Sequence, residues 1–75
     1  MSLDLNSEIK ILRLKSLCVR IGLGRSTIYD RINKKSPRYD KTFPRPIKLG
    51  ATAIGWIESE VIAWIQQRVA ANDVL

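Results

Sequence analysis

Residues 17–32 read LCVRIGLGRSTIYDRI. The stretch fits two short helices around a glycine-containing turn. Leu17 and Cys18 put apolar atoms on one face of the first helix, and Ile21, Gly22 and Leu23 make the turn. Ile28 and Ile32 stand four apart and mark the inner face of the second helix, because residues i and i+4 share a face. Arg25, Ser26, Thr27, Tyr29, Asp30 and Arg31 are left outside. This set is rich in hydrogen-bonding groups and positive charge. A helix in a DNA groove needs both, the first for base edges and the second for phosphates. The expectation is a helix-turn-helix DNA-binding domain in which these six residues meet the bases or the groove.

The ends of the two helices follow from local chemistry. The first is expected from about Lys15 to Arg20, too short to exist without tertiary support. Gly22 falls just past its end, where a left-handed backbone suits glycine. Gly24 stands where the second helix begins. Glycine is a weaker N-cap than serine or threonine, and a cap at Ser26 would start the helix two residues later. Either start turns the positive end of the helix dipole toward the DNA backbone. Cys18 lies four residues before Gly22, where the two helices cross, and reads as a packed thiol. The chain has no histidine and no second cysteine to activate it.

Charge supports the same reading. The chain has 75 residues and a net charge of +6. From Lys10 to Lys48, twelve Lys or Arg face only Asp30 and Asp40, a net +10, while residues 1–9 and 49–75 each carry −2. The positive charge is therefore concentrated on the helix-turn-helix and the segment after it, as binding to a phosphate backbone requires. The competing reading is a merely solubilising surface. Lys15, Lys34, Lys35, Arg38, Arg45, Lys48 and Thr52 are the candidate phosphate contacts.

Enzyme chemistry finds no foothold. The commonest general base is missing with histidine, and one cysteine cannot build a thiolate zinc site. The seven acidic residues are scattered, and no Gly-rich phosphate loop precedes a helix. No enzyme activity and no cofactor are expected. A lone cysteine fits a reducing cytoplasm. The apolar runs are too short for a membrane span, and the opening MSLD lacks the basic start and apolar block of a signal peptide.

The rest of the chain makes one small domain. Residues 1–9 are expected as a flexible arm, 10–70 as the folded domain and 71–75 as a fraying end. Ile9, Ile11, Leu12 and Leu14 suit a short extended segment laid on the core, with Lys10 and Arg13 pointing outward toward DNA. Asn33 to Thr42 reads as a loop with Tyr39 tucked partly inward. Pro44 and Pro46 impose an extended edge strand leading into Ile47, Lys48 and Leu49. Gly50 to Thr52 turns, and Ala53 to Ile57 returns as a second strand. Such a hairpin is marginal alone and must pack on the helices, with Trp56 as the anchor. Ile57, Val61, Trp64, Ile65 and Val69 form the apolar stripe of a closing helix, which Ile62 widens. Glu58 and Glu60 in its first turn and Arg68 near its end suit the dipole.

Three separated blocks, ILRLKSLCVRIGLGRSTIYDRI, FPRPIKLG and AIGWIESEVIAWIQQR, together resemble the AlpA family of small phage and prophage transcriptional regulators. Those proteins are relatives of MerR-like winged helices and of phage excisionases. The resemblance covers about residues 11–70. It implies a mostly α fold with a small β-hairpin, a winged helix-turn-helix that binds prophage DNA and regulates its genes. The family's recognition helix opens at the RSTIY motif. By resemblance, Ser26, Thr27 and Tyr29 approach bases or phosphates and Arg25 the backbone. The chain departs from the pattern in three places. Gly24 replaces a usual Ser or Thr. Ala51 and Thr52 stand where the wing tip commonly has Arg or Lys, with Arg45 and Lys48 as substitutes. The connection 33–42 is longer than usual, and its Lys34, Lys35, Arg38 and Lys41 extend the reach toward DNA.

Two further readings compete, the first with the same fold and basic surface and the second with the closing helix. An excisionase would bend attachment-site DNA and assist a recombinase. A protein-interaction module would dock a partner on the closing helix. A single small domain grips few phosphates, so specificity calls for a dimer, tandem binding, or a partner such as an integrase or RNA polymerase.

Overall fold

The computed structural model describes residues 9–72. The chain runs β1 (Ile11–Leu12), α1 (Leu14–Ile21), α2 (Arg25–Ile32), β2 (Ile47–Lys48), β3 (Ile54–Ile57) and α3 (Glu58–Ala71). The fold is mostly helical with a small antiparallel sheet, compatible with a winged helix-turn-helix. Most of the expected arm, residues 1–8, lies outside the described residues, as does the end of the chain from residue 73. No helix among the described residues is long and apolar enough to cross a membrane.

The helix-turn-helix forms where it was expected. Helix α1 is one residue longer at each end than expected. Gly22 closes it at φ 72°, and its N–H donates to the Cys18 carbonyl at 2.8 Å. A side chain built on Gly22 would meet open space, so backbone conformation, not crowding, calls for glycine there. Of the two candidate starts for α2, the chain uses Gly24, whose extended backbone (φ −78°, ψ 167°) leads into Arg25 with no side-chain cap.

The sheet holds one strand more than the sequence suggested. The expected hairpin is present, with Ile47 opposite Gly55 and Lys48 opposite Ile54. The Leu49 N–H closes its turn on the Ala53 carbonyl at 2.8 Å. The extended segment before α1 also pairs with β3, Ile11 opposite Ile57 and Leu12 opposite Trp56, so the strand order is β1-β3-β2. A two-residue strand has no length over which to show alternation, and its pairing was not legible in sequence. β3 is thus the central strand, and Gly55 is its tightest point. A Cβ there would lie 2.5 Å from Ile11 Cγ2 and 3.0 Å from Leu49 Cδ1. Only glycine lets both neighbouring strands close on β3.

Every element except β2 sends a side chain into one core of Leu12, Leu17, Ile28, Phe43, Trp56, Val61 and Trp64. Phe43 arrives from the loop and meets Trp64 edge-on, with ring centroids 4.9 Å apart. Aromatic pairs favour this geometry. Cys18 is half-buried against the core. The stripe of α3 is only partly used. Val61 and Trp64 are buried, whereas Ile62 and Val69 are exposed.

Candidate nucleic-acid interface

The candidate surface is built on α2. Ile28 is fully buried and Ile32 half-buried, which fixes the rotation of the helix. With about 3.6 residues per turn, Ser26 and Asp30 then lie opposite Ile28, with Thr27 and Tyr29 to either side. Arg25 and Ser26 are exposed, Tyr29 is 46% exposed, and Thr27 is half-buried. Gly24 leaves the first amides of the helix without a side-chain acceptor. These donors and the dipole make the start of α2 receptive to an anion.

The far end of α2 is engaged by the loop that follows. Asp30 faces Arg38 at 3.6 Å and accepts a hydrogen bond from the Ser36 hydroxyl at 3.4 Å. Arg31 faces Asp40 at 3.6 Å, and its carbonyl accepts the Asp40 N–H at 2.9 Å. Both residues were expected free on the outer face of the helix. Instead they hold residues 33–42 against its last turn, and Arg38 is drawn into the same network.

Loop 33–42 is ordered by its own side chains. Asn33 Oδ1 accepts the Lys35 N–H, Ser36 Oγ accepts the Arg38 N–H, and Asp40 Oδ1 accepts the Thr42 N–H, at 3.0, 3.1 and 2.9 Å. Each is a side-chain-closed turn of the kind Asn, Asp and Ser favour. Tyr39 is half-buried, as expected, and the Arg45 guanidinium sits 5.1 Å from its ring centroid. The Thr42 hydroxyl donated to Asp40 holds that carboxyl below its ordinary range. Partial burial opposes the shift, while the Thr42 amide and the charges of Arg68 and Arg31 add to it.

The remaining cations divide into engaged and free. Arg13 Nε donates to the Ile54 carbonyl at 3.1 Å, so it braces the sheet, although its spacing suggested an outward position near DNA. Arg20 pairs with Glu58 at 2.8 Å. Among the described residues, Lys15, Arg25, Lys34, Lys35, Lys41 and Lys48 are exposed and make no ion pair. Lys15 lies on the outer side of α1, beside Leu12, Ser16, Val19 and Arg20. Thr52 is exposed in the hairpin turn, with Lys48 on the strand leading into it. The sequence reading missed Asp40 and Phe43. The signal for Asp40 was the Asp-Lys-Thr triplet, an Asx-turn pattern at the loop end.

A sequence-family profile described as Prophage CP4-57 regulatory protein (AlpA) matches residues 10–69. The chain belongs to the AlpA family. It is 50% identical over 62 residues to the DNA-binding transcriptional activator AlpA of Escherichia coli K12, covering 83% of this chain and 89% of that one. It is 37% identical over 69 residues to an uncharacterized protein, ORF88, of Enterobacteria phage P4, covering 92% and 70%. No solved structure matches the chain.

Proposed function

We infer that this AlpA-family chain is a sequence-specific DNA-binding transcriptional regulator of phage or prophage genes, acting in the cytoplasm through the domain formed by residues 10–70. The start of α2 enters the major groove. Arg25, Ser26, Thr27 and Tyr29 meet base edges or the adjacent phosphates. The hairpin lies on the backbone with Lys48 and Thr52, and Lys15, Lys34, Lys35 and Arg45 hold further phosphates. One observation carries this reading. The only buried side chain of α2, Ile28, leaves Arg25, Ser26 and Tyr29 exposed on the half of the helix that begins at its uncapped, dipole-positive end.

The test is footprinting on the DNA flanking the chain's own gene, with random-sequence duplex as competitor. A protected site that survives excess competitor supports the reading. Affinity no greater than that of any basic protein at about physiological salt overturns it. DNA-bending gels on the same fragment separate a regulator from an excisionase, for which strong bending and cooperative binding to tandem sites are expected.

A further inference from the structure

We propose that Asp40, an acidic residue on a basic face, is the positioning residue of that face. It fixes the lysines of loop 33–42 for contact with DNA phosphates, with Arg31 as its anchor on α2. The proposal rests on the DNA-binding reading above and names the residue that holds its loop-borne contacts in place.

Asp40 lies near the end of loop 33–42, against the last turn of α2. Its N–H donates to the Arg31 carbonyl at 2.9 Å, and its own carbonyl accepts the Phe43 N–H at 3.0 Å. One carboxylate oxygen accepts the Thr42 amide and hydroxyl, and the other faces the Arg31 guanidinium at 3.6 Å. Every polar group of the residue is used. Those contacts join three parts of the molecule: the last turn of α2 at Arg31, the loop, and the core through Phe43 on Trp64. Arg68, over the Trp64 ring at 5.3 Å, adds its charge from α3.

The loop held in this way displays cations. Lys41 lies inside the turn that Asp40 closes on Thr42, and Lys34 and Lys35 lie where Asn33 closes its own turn after α2. All three are exposed and, among the described residues, unpaired. A loop already ordered presents its charges at a smaller entropy loss on binding than a free one. Arg38 is the exception, since Asp30 engages it.

Positioning and plain electrostatics predict opposite signs. Removing a negative charge beside DNA strengthens binding if charge alone matters. Asp40→Asn removes that charge and also loosens the loop. Glu60→Gln makes the same charge change on the exposed surface of α3 and gives the effect of charge alone. Thr42→Val removes the hydroxyl donor to Asp40 and changes no charge.

The experiment measures affinity of the full chain for random-sequence duplex DNA over a salt series, with melting followed in parallel. Loss of about two loop phosphate contacts from Asp40→Asn is expected to flatten the salt slope by roughly two units and weaken binding about tenfold. Thr42→Val should move both readouts the same way by less, and it serves alone if Asp40→Asn does not fold. Glu60→Gln should leave the slope unchanged and binding equal or tighter. A lower melting temperature in the loop variants with unchanged slope and affinity overturns the proposal, because the role is then structural alone. Failure of the wild type to bind overturns the DNA-binding reading and this proposal with it, whereas wild-type binding that both loop variants retain overturns this proposal only.

Discussion

Arg20 Nη2 lies 2.8 Å from Glu58 Oε2 and ties the helix before the turn to the first turn of α3, 38 positions away. The pair occupies Arg20, one of the cations concentrated between Lys10 and Lys48, with a carboxylate of the chain itself. Its side chain is 41% exposed and that of Glu58 20%, so solvent screens the attraction. Arg20→Ala is expected to lower stability by less than about 1 kcal/mol. It should weaken DNA binding less than Arg25→Ala does. Urea unfolding and a binding titration check both, and equal losses of affinity for the two variants would put Arg20 on the DNA.

Tyr29 is 46% exposed and Thr27 half-buried, and they flank the outward line of α2 on its two sides. Tyr29→Ala or Thr27→Ala should weaken binding to a protected site by about 1–3 kcal/mol while barely changing affinity for random duplex. Lys34→Ala should weaken both about equally and reduce the salt slope by about one unit. Equal losses of Tyr29→Ala on the two DNAs would remove it from the groove.

Gly24 leads into α2 at φ −78°, a conformation open to any residue, and a Cβ there meets nothing within 4 Å. Gly24→Ser supplies the missing cap and restricts the unfolded chain. It should stabilise the domain by about 0.5–1 kcal/mol. Amide exchange at residues 25–29 should slow in this variant, and in the wild type on binding DNA. Exchange that neither change slows would mean the start of α2 is already fully ordered.

Gly55 gives the opposite expectation. A methyl group there presses on Ile11 from β1, on Leu49 just after β2, and on the Leu12 carbonyl oxygen at 3.2 Å. Gly55→Ala is expected to destabilise by about 1–3 kcal/mol, measured by thermal melting. A neutral result would show that β1 separates from β3 with little loss.

Asp40 supplies a pH dependence of known sign. Its carboxyl titrates below the ordinary value because it is bonded to Thr42, lies near Arg68 and Arg31, and outweighs its partial burial. A depressed folded-state pKa contributes stability above the unfolded value of about 3.9, lost as pH falls through the folded value. The Thr42 amide resonance should therefore shift on acidification with its midpoint below the ordinary aspartate value of about 3.9. A shift centred above pH 4 would contradict the bonding described.

Much of this fold was legible because its signals are local. Gly22 marked the end of α1, Ile28 and Ile32 the inner face of α2, and the Pro-framed run before Ile47 the hairpin. The missed features depend on distant partners. Ile11 and Leu12 become a strand only because Trp56 and Ile57 lie beside them. Asp30 and Arg31 looked free on a helical wheel, but the wheel does not show a loop folding back onto the same face. Arg13 points to a carbonyl 41 residues away, which no spacing rule predicts.

The two indoles turn this interior into an optical gauge. Trp56 is fully enclosed on β3 and Trp64 is 8% exposed on α3, and neither stands on the outward face of α2. Their emission should be blue-shifted in the folded chain and move to the red on unfolding. A duplex seated on α2 and the hairpin touches neither ring. A change of tryptophan emission on adding DNA would thus register a rearrangement of the shared core, while a silent titration would report docking of a rigid body. The chain carries its own discriminator between these two modes of binding, without an attached dye.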